Sequence, residues 1–153
     1  MLMTVETMWA EYIKNCGESF KASNKTYEAW HFCNNESDAN ELADLTIRGI
    51  KRATASLKKS YELDNEPLPK EKDLNIVTYY DGTAACIIEV TNVKVVPFNE
   101  ITEEDASVEG EGDGSLAYWR AGHLKFFKEE AEANNYEFRE TDLVVFMTFR
   151  VVY

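Results

Sequence analysis

Three short segments of this chain carry residue types that can do chemistry. The first is Gly49-Ile50-Lys51-Arg52-Ala53-Thr54-Ala55-Ser56-Leu57. Lys51 and Thr54 pair an amine with a hydroxyl, the parts of a nucleophile and its base. On a straight strand, positions i and i+3 point to opposite faces. The two converge only where the backbone bends, at a bulge or a helical turn. The second segment is Glu109-Gly110-Glu111-Gly112-Asp113-Gly114, in which carboxylates alternate with glycines. Glu109, Glu111, Asp113 and Gly114 fall on positions one, three, five and six of a calcium loop, but position twelve, which must be a bidentate carboxylate, is Arg120. No metal is therefore expected. The glycines read instead as positive φ angles or as close approach of the backbone to something else.

The third segment is a helix. At 100° per residue, Leu116, Trp119, His123, Phe127 and Ala131 share one face, and Arg120 falls on it as well. A charge inside an apolar stripe needs a partner, because burying it alone is very costly. The expected partner of Arg120 is a carboxylate of the preceding loop; the alternative is a ligand in a pocket. His123 carries the same two readings, a satisfied core histidine or a ligand contact. His31 stands in an aromatic strand with no metal partner at suitable spacing, and no Ser/His/Asp or Cys/His triad is suggested.

These segments need a scaffold, and the patterning supplies one. Thr4 caps a helix with Val5, Met8, Trp9, Tyr12 and Ile13 on one face, ended by Gly17. Tyr27–Cys33 reads as a strand. Ser37 caps a second helix with Ala39, Leu42, Ala43 and Leu45 facing in, and Gly49 stands where a left-handed C-terminal glycine belongs. Ala53–Leu57 is either a short strand or the start of a helix. Asn65–Asp73 is a loop; Asn75–Tyr80 and Thr83–Val90 flank Asp81-Gly82, a strong hairpin signal. Val93–Phe98 extends the sheet, Thr102–Val108 forms a short acidic helix, Ser115 caps the longest helix to about Asn134, and Leu143–Val152 closes as a strand. Irregularly interspersed helices around an antiparallel hairpin predict an α+β fold rather than a parallel βαβ sheet.

Bulk properties narrow the function. The 153 residues suit one domain, and a chain of this length buries about 70 % of its unfolded surface. Hydrophobic content of 44 % argues against disorder. No run approaches the roughly 20 apolar residues of a membrane helix, and the acidic start lacks the basic region of a secretory signal. A cytoplasmic protein without a membrane partner is expected. Cys16, Cys33 and Cys86 are odd in number and widely spaced, so neither a disulfide framework nor a zinc site is implied. The net charge of −12 opposes a long nucleic-acid groove, whose affinity comes from neutralising many phosphates. Charge is nevertheless uneven: Arg48, Lys51, Arg52, Lys58 and Lys59 are clustered without an acid among them, where a small anionic or polar ligand can approach.

Taken in order, Leu42-Ala43-Asp44-Leu45, Gly49-x-Lys51-x-x-Thr54-Ala55-Ser56-Leu57, Val96-Pro97-Phe98, the Glu109–Leu116 loop, Trp119-Arg120-x-x-His123 and Phe126-Phe127 resemble the ASCH domain family. The resemblance implies a PUA-like fold, a small mixed β-barrel flanked by helices, as a single domain over 1–153, with 1–26 as a helical extension and 27–153 as core. ASCH domains are proposed to bind RNA or nucleotides, and a shorter bacterial branch hydrolyses the amide of N(4)-acetylcytidine with a lysine, a threonine and a glutamate. These match Lys51, Thr54 and, through the Thr102-Glu103 segment, Glu109. Arg52, Glu111, Arg120 and His123 are the accompanying ligand-binding candidates. The implied reading is an amidohydrolase of acylated nucleosides without cofactor, or else a binding module for a nucleoside or short RNA. In the enzyme reading Thr54 attacks the acyl carbon. Lys51 is then either a neutral base or a cation that stabilises the oxyanion while Glu109 accepts the proton. Neither Lys51 nor Glu109 lies on an apolar stripe, so replacing them is expected to spare the fold.

Overall fold

Short polar residues in front of the apolar stripes set the helix starts. The structure, a computed structural model, describes residues 2–18, 20 and 24–153. Its elements are α1 (Val5–Cys16), β1 (Tyr27–Trp30), α2 (Glu36–Ile47), β2 (Ala53–Leu57), α3 (Lys58–Leu63), β3 (Leu74–Thr78), β4 (Ala84–Pro97), a 3-10 turn (Phe98–Glu100), α4 (Glu103–Glu109), α5 (Leu116–Ala133) and β5 (Leu143–Val151). Thr4 and Ser115 cap α1 and α5 by accepting the Thr7 and Tyr118 backbone N–H groups. Thr102 and Asp105 form a reciprocal capping box on α4. The cap of α2 is Asn35 rather than the expected Ser37: its extended backbone aims the side-chain oxygen at Asp38 N, 2.9 Å away, and the helix begins there.

Five strands pair in the order β1-β3-β4-β5-β2. β1 runs parallel to β3, while β3/β4 and β2/β5 are antiparallel, so the sheet is mixed. With its helices this is the expected α+β, PUA-like fold. Three elements differ from the sequence reading. β1 stops at Trp30, short of Cys33, whose φ of 55° a strand cannot hold. The two strands expected at 83–98 run as one, Ala84–Pro97. Ala53–Leu57 is a strand, and α3, not expected, follows it directly. The Asp81-Gly82 turn forms the β3–β4 hairpin, with Tyr79 N donating to Thr83 O at 2.8 Å.

The chain divides into two compact units. One comprises Met1–Gly49, Glu71–Thr91 and Phe149–Tyr153. Its core joins Met8 and Tyr12 of α1 to Leu74, Ile76, Ala84 and Ile87. Cys86 lies buried in this unit, where burial pushes its thiol up to about 12, so it behaves as a small hydrophobe. The other comprises Ile50–Lys70 and Asn92–Thr148 and contains all three segments singled out above apart from Gly49. Its core is Leu57, Phe98, Trp119, Phe127, Phe138 and Phe146 with smaller neighbours. Among the described residues no helix is long and apolar enough to cross a membrane.

Phe98 is the hub of the second core, fully buried with ring centroids of Trp119 and Phe138 each 5.2 Å away. Phe98→Ala is expected to cost about 3–5 kcal/mol in denaturant unfolding, whereas Val95→Ala, at a site 37 % exposed, should cost under about 1 kcal/mol. Equal costs at the two positions would contradict this placing of the core.

Candidate functional site

Two backbone devices bring the first two segments together. The Arg52 N–H donates to Val108 O at 2.9 Å, tying the chain ahead of β2 to the last turn of α4. Beyond that turn Gly110 caps α4 in the left-handed region, with φ 69°. A Cβ at Gly110 would overlap the Ile50 carbonyl oxygen, so glycine is required both for the turn and for the approach. The same holds at Gly112, φ 57°, where a Cβ would overlap the Tyr118 ring. Closely apposed in this way, the two segments place Lys51 against the carboxylates of the loop.

Lys51 is 1 % exposed and Glu109 is fully buried. The Lys51 ammonium donates to Ala53 O at 2.8 Å, to Glu111 Oε1 at 2.8 Å and to Glu109 Oε2 at 3.4 Å. An ammonium has three N–H donors, and all three are used. Glu109 also accepts from Trp119 Nε1 at 2.9 Å and lies 3.0 Å from His123 Nε2. The other ring nitrogen of His123 faces Trp119 O at 2.9 Å. Both nitrogens thus face acceptors, which an imidazole satisfies only when doubly protonated. The His123 ring stacks on Trp119, with centroids 4.1 Å apart.

The titration of each group follows from these contacts. Burial alone would depress Lys51, but Glu109 and Glu111 outweigh it and hold the ammonium above the ordinary lysine value. Burial would raise Glu109, and the charges of Lys51 and His123 overcome it, keeping the carboxylate well below its usual range. Glu111 is pushed up, chiefly by burial and further by the charge of Glu109, against the pull of Lys51. His123 is raised because Glu109 outweighs its own desolvation. The arrangement is a buried salt-bridge network of two cations and two carboxylates. Glu109, Glu111 and His123 each offer a ligand atom within 4.8 Å of the others. Lys51, held by both carboxylates, is the cation this cluster is built around.

Of the sequence candidates, Lys51, Glu109, Glu111 and His123 converge. Thr54 does not join them. In the β2/β5 register Ala53, Ala55 and Leu57 stand opposite Thr148, Phe146 and Val144, on the face that includes the Phe98 core. Thr54 stands opposite Met147, so strand alternation sends its side chain to the other face. Arg52 contributes its backbone, and its side chain is exposed. Arg120 corrects an expectation: it is half-buried, pairs with no loop carboxylate, and its buried Nε has no hydrogen-bond partner among the described residues. Glu109, which meets that helix through Trp119 and His123, is already saturated by these two and Lys51. Trp119 is the site residue that sequence reasoning placed on the apolar stripe and in the Trp119-Arg120-x-x-His123 motif without giving it a role. The signal was its i,i+4 spacing to His123 on a face that also has to meet a carboxylate.

The family model of the ASCH domain matches residues 28–153. The chain belongs to the ASCH domain family. An ASCH domain from Lactobacillus crispatus JV V101 is 38 % identical, with 97 % of this chain and 93 % of that one covered and a TM-score of 0.92. A protein from Enterococcus faecalis V583 is 30 % identical, with coverage of 97 % and 87 % and a TM-score of 0.84. A hypothetical protein at 18 % identity and a TM-score of 0.53 shares the fold alone. No curated protein matches this ASCH domain.

Two outcomes are expected. Burial of Lys51 and Glu109 overturns the expectation that their replacement spares the fold: Lys51→Met should cost about 3–5 kcal/mol by leaving Glu109 unpaired, and a Lys51→Met/Glu109→Leu double variant should recover much of that in unfolding experiments. A single variant as stable as the parent would show the pair to be unimportant. The second outcome concerns pH. The folded pKa of His123 lies above its ordinary 6.5, so its stabilising effect is complete below that pH and is lost as pH rises through the folded value. Thermal melts should therefore fall in Tm above about pH 6.5, and His123→Gln should flatten that slope. A parent Tm that rises across the same range would refute the charged His123.

Proposed function

We propose that this ASCH domain is a binding module for a small nucleoside-like ligand whose base presents N–H donors to Glu111. The observation that carries the reading is the division of labour inside the cluster. Lys51 has spent its donors, Glu109 is sealed, and both nitrogens of His123 are engaged. Glu111 is different: its side chain keeps 18 % exposure, and it meets Lys51 through Oε1 while Oε2 has no hydrogen-bond partner among the described residues. A carboxylate with a free oxygen at the rim accepts from amino groups of a base, as carboxylates accept from cytosine N4 in nucleic-acid recognition. The saturated Lys51 offers nothing to a phosphate, and the net charge of −12 adds repulsion, which favours a nucleoside or a very short RNA over a long strand.

Hydrolysis of an acylated cytidine is the second reading, favoured by the 3.4 Å contact of Lys51 with Glu109, two of the three residues of the hydrolase branch. The placement of Thr54 and the missing free donor on Lys51 weigh against it. One set of titrations separates the readings. Cytidine should bind more tightly than uridine, which lacks the amino group, and Glu111→Gln should weaken cytidine about tenfold. Cytidine release from N(4)-acetylcytidine that disappears in Thr54→Val would reinstate the threonine nucleophile. Equal binding of cytidine and uridine, unchanged in Glu111→Gln, would remove Glu111 as the reader of the base.

A further inference from the structure

The two glycines that flank Glu111 make room for different things. At Gly110 the neighbour is the Ile50 backbone, a contact that holds two segments of the fold together. At Gly112 it is the side chain of Tyr118, from the first turn of α5. A Cβ at Gly112 would fall on Tyr118 Cζ, Cε1 and Cε2 alike. A point equally close to those three atoms stands over the face of the ring, not at its edge. The Gly112 backbone therefore covers one face of Tyr118 and fixes the ring plane next to Glu111. Burial does not account for this arrangement, because Tyr118 keeps 51 % exposure. Its hydroxyl does not account for it either, since it makes no hydrogen bond among the described residues.

One turn further along α5, the side chain that would shield this ring is missing. A helical side chain leans toward the N-terminus and lies over the turn before it, so position 122 is the one that covers position 118. That position is Gly122. It is absent from the positive-φ residues, and a Cβ there would meet no heavy atom within 4 Å. Neither backbone conformation nor crowding calls for glycine, and a glycine inside a helix weakens it. Its effect is to leave open space beside Tyr118. An aromatic ring seated by a glycine, exposed beyond it and uncovered by its helical neighbour thus adjoins the carboxylate whose Oε2 has no partner among the described residues.

We propose that Tyr118 is the stacking platform of the Glu111 site, on which the ring of a base lies flat while its amino group donates to Glu111. The inference rests on the Glu111 reading and adds a division of roles to it. An aromatic face stacks any base, so Tyr118 supplies affinity and Glu111 supplies the choice between bases. Titrations of cytidine, uridine and 5,6-dihydrouridine followed by NMR test it. Dihydrouridine has a puckered, non-aromatic ring; it should bind the parent more weakly than uridine does, and Tyr118→Ala should abolish that difference. Tyr118→Ala should melt as the parent does and weaken cytidine and uridine by the same factor, about tenfold. Tyr118→Phe should bind both as the parent does. Gly122→Leu should weaken both while holding or raising Tm, because leucine is the better helix former and pairs with a tyrosine four residues before it. Unchanged affinities in Tyr118→Ala, with Glu111→Gln still weakening cytidine, would overturn the platform and leave the Glu111 reading standing. Equal losses in Tyr118→Ala with no effect of Glu111→Gln would support the stack and remove Glu111 as the reader. A loss in Tyr118→Phe as large as in Tyr118→Ala would overturn the stack, since the hydroxyl would then be the contact.

Discussion

The fully buried contact between Lys51 and Glu109 is the constraint around which the second unit is organised. Moving an ammonium and a carboxylate out of water costs several kcal/mol per ion, and one ion pair seldom repays it. The surroundings supply what the pair alone lacks. Lys51 gains a backbone carbonyl and a second carboxylate, and Glu109 gains an indole N–H and an imidazole. Every element that supplies a partner is thereby fixed in place. α4 must end at a left-handed glycine, the Ile50 carbonyl must lie against that glycine, and α5 must turn Trp119 and His123 toward the loop. The apolar core, with Phe98 and Trp119 in contact, meets this polar cluster at the Trp119 indole and at Phe127, against which the His123 ring lies.

Such saturation has chemical consequences. A lysine that serves as a base must lose its proton, and here two carboxylates oppose that loss. A lysine that stabilises an oxyanion needs a free N–H, and here all three are given to the protein. The same cluster satisfies the geometric outline of a cation site, with the ammonium as its cation. On the proposed reading, what is left for a ligand is the rim. The carboxylate of Glu111, raised in pKa and partly exposed, is the group whose state a ligand can still change. The proposed recognition of a neutral base also suits a protein whose overall charge repels polyanions.

Much of the scaffold was legible in the sequence because it rests on local rules. The caps at Thr4 and Ser115, the glycine after α2 and the Asp-Gly hairpin each follow from one or two residues and their backbone preferences. The failures are places where two local signals competed or where none existed. Asn35 and Ser37 are both good caps, and only the path of the chain out of β1 decides between them. The extent of β4 and the existence of α3 depend on neighbours far away in the sequence, which periodicity does not report.

The candidate site divides along the same line. Residue types and order alone were enough to single out Lys51, Glu109, Glu111 and His123, because charged groups flanked by glycines and apolar runs have few uses in a small domain, and because the ordered set matches the ASCH family. Which charge pairs with which was decided by the tertiary structure. Arg120 and His123 lie on one helical stripe, yet His123 receives the carboxylate and Arg120 does not, since stacking on Trp119 aims the imidazole at Glu109. Lys51 and Thr54 lie three residues apart, yet the β2/β5 register sends Thr54 to the face shared with Met147. Sequence determines which groups are available and what local conformations they permit. Whether two of them meet depends on strand register and helix rotation, and these are set by the packing of the whole unit.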